Sequence, residues 1–211
     1  MDRERSLDRL ITFCDAVVAI AITLLILPLV DSAGELGDLS IGALMDRMWP
    51  QLLVFGISFA VIGRFWLAHH RAFEHYIGYN TALLWVNLLW LLSIVFLPFP
   101  TELMAQGVAT SPATVLLYIG TMVVTSAAAT LTQWIVIRNP QLQAPEVRGT
   151  LSIWSPLTAL VLLVAALLVS QLVPGVGLFA LLLMLLSGPV QLLLGRRSPR
   201  ADSAGTPPPP A

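Results

Sequence analysis

The sequence predicts an all-α, polytopic membrane protein with six transmembrane helices and both termini in the cytoplasm. Of its 211 residues, 57% are hydrophobic and only 11% are charged, and the mean hydropathy is +0.84. A chain with so little polar surface cannot cover a soluble globule, so the lipid bilayer must be its solvent. Six stretches have the roughly 20-residue length that crosses about 30 Å of hydrocarbon. The distribution of arginine then predicts the orientation.

The six predicted spans, numbered 1 to 6 along the chain, occupy residues 10–30, 49–68, 81–100, 113–137, 151–172 and 175–194. Spans 5 and 6 come from one charge-free run that is too long for a single crossing. Gln171, Pro174, Gly175 and Gly177 interrupt this run and predict a tight hairpin. Residues 1–197 therefore form one transmembrane domain. Residues 198–211 end in four prolines and predict a disordered cytoplasmic tail.

Every basic residue of the chain is an arginine, and ten of the eleven fall on one predicted side of the membrane. These ten are Arg3, Arg5, Arg9, Arg64, Arg71, Arg138, Arg148, Arg196, Arg197 and Arg200. Only Arg47 lies on the other side, in a loop that is otherwise acidic. Because cytoplasmic loops carry an excess of basic residues, both termini are expected in the cytoplasm. The pattern predicts a multi-pass protein of the cell membrane.

Several classes of function are disfavoured by residues that the chain lacks. The net charge of −1 and the dispersed arginines do not predict a nucleic-acid partner. A single cysteine, Cys14, cannot form an intrachain disulfide or a cysteine-based metal site. The sequence contains no Gly-rich phosphate loop and no second intramembrane carboxylate that could share acid and base work with Asp15. We therefore expect no enzyme activity, no cofactor and no metal site.

Span 1 carries the most informative residue, the carboxylate Asp15. An ionised Asp well inside a membrane helix costs roughly 2.5 to 3.5 kcal/mol on insertion scales, so Asp15 should be paired, neutral or facing water. At 100° per residue, Ile20, Thr23, Leu24 and Leu27 share one stripe, which lies about 140° from Asp15. The stripe alone is typical of ordinary helix packing or lipid contact. Span 1 thus has an aliphatic face with one hydroxyl, and a separate face that needs a polar partner.

Candidate partners for Asp15 cluster near the cytoplasmic ends of spans 2 and 3. Span 2 ends close to Trp66 and His69, and span 3 carries Trp85 and Asn87. Buried Trp and His side chains need hydrogen-bond partners, which Asp15 and Arg9 could supply at a similar membrane depth. The alternative is that the tryptophans form an interfacial belt and that His69 is simply solvated.

Together these residues resemble the signature of the transmembrane protein 175 family of potassium channels, in its bacterial branch with one six-helix unit per chain. The resemblance rests on one pattern in span 1 and one after span 2, and it extends to Asn87 and Pro98. The residues are Arg9, Phe13, Asp15, Ala19, Ile20, Thr23 and Leu24, followed by Trp66, His69, Arg71 and Phe73. It covers about the first half of the chain. Cys14 stands where the family usually has Ser.

The resemblance implies a homotetramer in the lipid bilayer that conducts potassium ions through a central pore lined by four copies of span 1. Ile20 would form the narrowest ring, Thr23 a hydroxyl ring, and Leu24 or Leu27 a further apolar layer. Arg9, Asp15 and His69 would join spans 1, 2 and 3 in a hydrogen-bonding network, and Phe13, Trp85 and Asn87 are expected beside it. An apolar ring of this kind can dewet and so gate conduction.

Two other functions remain open at the level of sequence. In a proton-coupled transporter, Asp15 and His69 would relay protons, although internal repeats and broken helices around a midplane site are not evident. A membrane scaffold would transport nothing, and it would not require the arrangement of Asp15 and Arg9. Passive potassium flux without an obligatory counter-ion separates a channel from both.

Overall fold

The computed structural model describes residues 2–35, 40–106 and 111–172, and within these ranges the regular structure is helical. Seven α-helices follow one another: α1 (Asp2–Leu24), α2 (Leu27–Glu35), α3 (Ile41–Phe73), α4 (Thr81–Phe96), α5 (Pro98–Ala105), α6 (Pro112–Arg138) and α7 (Trp154–Leu172). Two 3-10 turns, Pro140–Leu142 and Pro145–Val147, lie between α6 and α7. The predicted all-α fold is confirmed.

Five stretches of the described chain are long and apolar enough to cross a membrane. They are Arg5–Gly34, Ile41–Phe73, Thr81–Ala105, Pro112–Arg138 and Trp154–Leu172, and they correspond to predicted spans 1 to 5. The sixth predicted span, residues 175–194, and the predicted tail, residues 198–211, lie outside the described residues.

Span 1 was expected to be one continuous helix over residues 10–30, but it is divided into α1 and α2. The cause is Pro28, which has no N–H to donate to the Leu24 carbonyl and whose ring would clash with that carbonyl. The chain tightens at the break, where the Leu25 amide donates to the Ile22 carbonyl at 3.3 Å and the Ile26 amide to the Thr23 carbonyl at 3.4 Å. Leu27 therefore begins a new helix instead of continuing α1.

The other boundaries also follow from proline and from capping side chains. Pro98 divides span 3 into α4 and α5 for the same reason, and the helical path runs on to Ala105, beyond the predicted end. α3 starts earlier than predicted because the Ser40 hydroxyl accepts from the Ala43 amide at 3.4 Å. The Asn80 carboxamide caps α4 in the same way, accepting from the Leu83 amide at 2.8 Å.

Apolar side chains of α1, α3, α4, α6 and α7 meet in a central core. Its buried members include Val18, Ile62, Trp90, Ile94, Tyr118, Ile119, Met122 and Leu163. α1 packs here against α3 and α4, α4 packs against α6, and α7 covers another part of α6. Burial of these surfaces fixes the rotation of α1 about its own axis and therefore the direction in which the other face of α1 points.

A second apolar group, the end cluster, closes one end of the helices. It consists of Leu7, Phe73, Tyr76, Leu83, Ile135, Val136 and Leu142. These residues come from the start of α1, the end of α3, the start of α4, the end of α6 and the loop that follows it. Arg5, Arg71, Arg138 and Arg148 belong to the same segments, so these arginines gather at one end of the molecule.

Two loops pair with each other beside the end cluster, and we call residues 74–80 and 139–150 together the loop joint. Tyr76 and Gln143 form an antiparallel bridge. In it, the Ile77 amide donates to the Leu142 carbonyl and the Ala144 amide to the His75 carbonyl, both at 2.9 Å. The α3–α4 connection is thereby fixed to the α6–α7 connection.

Candidate pore helix and its polar contacts

One face of α1 is packed into the central core. Cys14, Val18, Ala21 and Leu25 follow one another at helical spacing, and none is more than 2% exposed. Small and medium side chains at these positions let α1 approach α3 and α4 closely. The rotation of α1 about its axis is therefore fixed by packing.

The opposite face of α1 carries the aliphatic stripe that the sequence singled out. Ile20 is 60% exposed, Leu24 is 39% exposed, and Thr23 between them is also exposed. The Thr23 hydroxyl donates to the Ile20 carbonyl at 2.8 Å, so its oxygen lone pairs stay available on this face. Leu27 is half-exposed as well, but it lies beyond the break and belongs to α2.

Asp15 lies at the edge of the packed face and is partly buried. Its Oδ1 accepts a hydrogen bond from Trp66 Nε1 at 2.8 Å. This bond joins α1 to α3 and gives the carboxylate the partner that a charge in a membrane helix requires. The indole donor, which would otherwise be unsatisfied in an apolar setting, is satisfied at the same time.

A separate chain of hydrogen bonds connects α1, α4 and α3 through Asn87. His69 Nε2 donates to Asn87 Oδ1 at 2.8 Å, and Asn87 Nδ2 donates to Cys14 Sγ at 3.1 Å. All three side chains are buried. Because a carboxamide oxygen only accepts, the proton on His69 lies on Nε2. Asn87 thus uses both ends of its amide to connect α1 with α3.

His69 is also enclosed by aromatic rings. Its imidazole stacks on Phe73 with ring centroids 4.4 Å apart, and on Trp90 with centroids 3.9 Å apart. Flat rings on both sides and a hydrogen bond at the edge leave the imidazole a single orientation. The ring is therefore a structural element of the interface between α3 and α4.

Not all of the residues expected in the network reach it. Arg9 is exposed and forms no hydrogen bond or ion pair with Asp15 or His69. Arg9 precedes Asp15 by six residues, which places it about 9 Å earlier along α1 and about 120° around its axis. Phe13 is 52% exposed and Trp85 is 67% exposed. Trp85 is two residues from Asn87 and so points to the other side of α4.

Three hydrogen bonds between buried hydroxyl groups were not predicted from the sequence. Ser58 and Tyr118 share a hydrogen bond at 3.1 Å, and Thr101 donates to Ser58 Oγ at 3.0 Å, which joins α3, α5 and α6. Thr125 donates to Ser93 Oγ at 2.9 Å, which joins α6 to α4. The sequence does indicate such contacts through serine and threonine within apolar spans, because in lipid these hydroxyls form hydrogen bonds across helices or to their own backbone.

Known proteins are similar to this chain in sequence. A family profile described as the endosomal/lysosomal potassium channel TMEM175 matches residues 9–98, which include most of α1, Trp66, His69 and Asn87. A potassium channel of Streptomyces collinus is 34% identical over an alignment of 154 residues, with 67% of this chain and 72% of that protein covered. A potassium channel of Chamaesiphon minutus is 37% identical over an alignment of 105 residues, with 46% of this chain and 49% of that protein covered.

A solved structure has the same fold. The crystal structure of a homologue of the lysosomal potassium-selective channel TMEM175, from Chamaesiphon minutus, superposes with a TM-score of 0.57 and 25% sequence identity. The superposition covers 87% of this chain and 98% of that one. Matching residues in the first half and matching architecture over most of the length lead to one conclusion: the chain belongs to the TMEM175 family of potassium channels.

Proposed function

We propose that four copies of this chain form a potassium-permeable cation channel of the cell membrane, with α1 of each copy lining a central pore. The observation that carries the proposal is the exposed stripe on α1. A membrane-length helix is held by its buried face and by three described polar contacts, to Tyr79, Trp66 and Asn87. Its side chains Ile20, Thr23 and Leu24 are exposed. Family membership supports the assignment of potassium as the permeant ion.

A tetramer is proposed because one subunit supplies only one such stripe. A ring of Ile20 side chains requires several copies, and a closed assembly around one axis is the usual solution for identical subunits. The ring would form a hydrophobic constriction that gates by excluding water. Potassium ions are then the transported species, and we propose no resident cofactor.

The arginine-rich end of the molecule is proposed to face the cytoplasm. Arg5, Arg71, Arg138 and Arg148 lie on segments that meet at the end cluster, which agrees with the orientation predicted from the arginine distribution. The start of α1 then lies on the cytoplasmic side. The stripe extends from there towards the opposite surface.

Asp15 and His69 do not support a proton relay as directly as they support a structural role. Asp15 bonds to Trp66, His69 bonds to Asn87, and no described hydrogen bond joins the two residues to each other. Potassium flux that is strictly coupled to protons would indicate a proton-coupled transporter. The absence of any ion flux would indicate a scaffold.

The test is ion flux into liposomes that contain the purified full-length protein, under separate gradients of potassium, sodium and protons. We expect passive potassium flux that needs no counter-ion.

Ile20→Asn should raise this flux and reduce discrimination among cations, because a polar ring no longer excludes water. Val161→Asn on α7 is the matched control, since Val161 is 57% exposed and lies on a different helix. Flux coupled strictly to protons, or equal effects of both variants, would contradict the proposal.

A further inference from the structure

We propose that Tyr79 is a positioning residue for the pore helix, acting through its hydrogen bond to Ser6. This inference rests on the proposed function, because it concerns how α1 is held in a conducting tetramer. Tyr79 Oη and Ser6 Oγ lie 2.6 Å apart. This hydrogen bond joins the start of α1 to the loop joint.

The loop joint that carries Tyr79 is itself tightly held. Gln143 Nε2 donates to the Val136 carbonyl at 2.8 Å, and Gln143 Oε1 accepts from the Gly149 amide at 3.1 Å. One buried carboxamide therefore caps the end of α6 and also shapes the following loop. Gly149 has a φ of 81°, a conformation that glycine adopts without strain.

The α3–α4 side of the loop joint has its own polar contact to α6. Tyr76 Oη donates to Gln133 Oε1 at 2.8 Å. Burial raises the pKa of the Tyr76 phenol, so the group stays protonated and remains a donor. With the backbone bridge between Tyr76 and Gln143, this contact fixes residues 74–80 on the end of α6. The position of Tyr79 is thus set by α6.

Apolar side chains also hold α1 at this end: Leu7 is buried in the end cluster, and the partly buried Leu10 and Ile11 pack against it, whereas Asp8 and Arg9 are exposed. Apolar packing is not directional, so the hydrogen bond from Ser6 to Tyr79 adds a directional contact. From Ser6 to Ile20 the helix rises about 21 Å, so a small tilt at Ser6 moves the Ile20 side chain appreciably. We infer that the hydrogen bond between Tyr79 and Ser6 sets the tilt of α1 and hence the width of the constriction.

The experiment compares Tyr79→Phe with Tyr118→Phe in full-length protein reconstituted in liposomes. Each variant loses one hydroxyl and keeps its ring, but Tyr118 bonds to Ser58 in α3 and lies outside the loop joint, so only Tyr79→Phe releases the start of α1. We expect Tyr79→Phe and Ser6→Ala to raise basal potassium flux by about threefold to tenfold, the range that corresponds to losing one hydrogen bond. Their combination should do no more than either alone, and Ser6→Thr should preserve the wild-type flux. Tyr118→Phe should lower the melting temperature without changing flux per assembled particle.

The inference is overturned if neither Tyr79→Phe nor Ser6→Ala raises flux, or if Tyr118→Phe raises it equally. Melting temperature and particle size, measured on the same samples, identify variants that fail to fold. If Ser6→Ala fails to fold, Ser6→Thr is compared with Tyr79→Phe, because Ser6→Thr keeps a hydroxyl at position 6. Ile20→Asn separates this inference from the proposed function. If Ile20→Asn raises flux and Tyr79→Phe does not, only the positioning role is wrong. If Ile20→Asn also has no effect, the pore assignment itself is wrong.

Discussion

Asn87 provides partners for two side chains that would otherwise be unsatisfied in an apolar bilayer. Its carbonyl accepts from His69 and its amino group donates to the Cys14 thiol. Unlike a serine or a histidine, a carboxamide carries a fixed donor and a fixed acceptor, and so it can bridge one group that donates and one that accepts. Cys14 therefore has a role here although a thiol is a weak acceptor.

The contact to Cys14 can be tested by changing its acceptor strength. We expect Cys14→Ser to keep the melting temperature in detergent at or above the wild-type value, because a hydroxyl also accepts from Asn87 Nδ2. Cys14→Ala should lower the free energy of unfolding by about 1 to 3 kcal/mol, the cost of leaving a buried donor unpaired. Equal melting temperatures for the two variants would show that the bond contributes nothing.

The bond between Asp15 and Trp66 offers a second test at the scale of single residues. Trp66→Phe removes the indole donor and leaves the carboxylate without its partner, so we expect a loss of about 1 to 3 kcal/mol in stability. Cation selectivity should change little, because Asp15 lies on the packed edge of α1 and not on the stripe. Trp85→Phe is the control, since Trp85 is 67% exposed. A large selectivity change in Trp66→Phe with unchanged stability would move Asp15 into the ion path.

At this scale the sequence predicted which residues matter better than it predicted their partners. The charge in an apolar helix singled out Asp15, and the need of His and Trp for hydrogen bonds singled out His69 and Trp66. The pairing of Asp15 with Trp66 and of His69 with Asn87 depends on how α3 and α4 rotate against α1. That rotation is decided by the packing of Val18, Ile62 and Ile94, which a single sequence does not specify.

At the scale of helices, hydrophobic length predicted the spans and prolines shaped them. The five described spans agree with the predicted ones because each is a long apolar run. The break after Leu24 was not predicted, although Pro28 was its signal. Proline is tolerated in many membrane helices, so its presence alone does not say whether a helix will bend or end. The consequence is that Leu27 starts α2 and leaves the regular register of the stripe.

Replacing Pro28 with alanine tests whether this break limits the length of the proposed constriction. In Pro28→Ala the residue 28 amide can donate to the Leu24 carbonyl, so α1 and α2 should join and Leu27 should return to the stripe. We expect basal potassium flux to fall in liposomes, because a longer apolar segment is harder to hydrate. Pro50→Ala in α3 is the control. A rise in flux, or the same change in both variants, would mean that the break has another role.

For the whole molecule, the distribution of exposed apolar surface decides how copies can assemble. Large apolar side chains are exposed on several helices, as expected for a protein that is surrounded by lipid and, in the proposed tetramer, by other subunits. Exposure alone therefore does not distinguish an interface from a lipid-facing surface. What distinguishes the proposed pore stripe is its hydroxyl at Thr23 and its position opposite the packed face of α1.

Cross-linking and particle mass together test which face the copies share and how many copies there are. Cysteines placed at position 20 should lie close to one another if copies of α1 surround one axis. In a Cys14→Ser background, Ile20→Cys should therefore cross-link on oxidation, or with a short bismaleimide where the Cα atoms are further apart than the roughly 7 Å reach of a disulfide. Each subunit then has one cysteine, so denaturing gels should show dimers and no larger product.

The mass of the native particle in detergent should correspond to four chains before and after this treatment. Val161→Cys in the same background is the matched control, because position 161 has similar exposure but lies on α7. Efficient dimer formation at position 20 and little at position 161 is the expected result. A particle of one chain that still conducts would refute the tetramer. Equal cross-linking at both positions would instead show that α1 does not surround the axis, since a shared pore requires the Ile20 stripes to face each other.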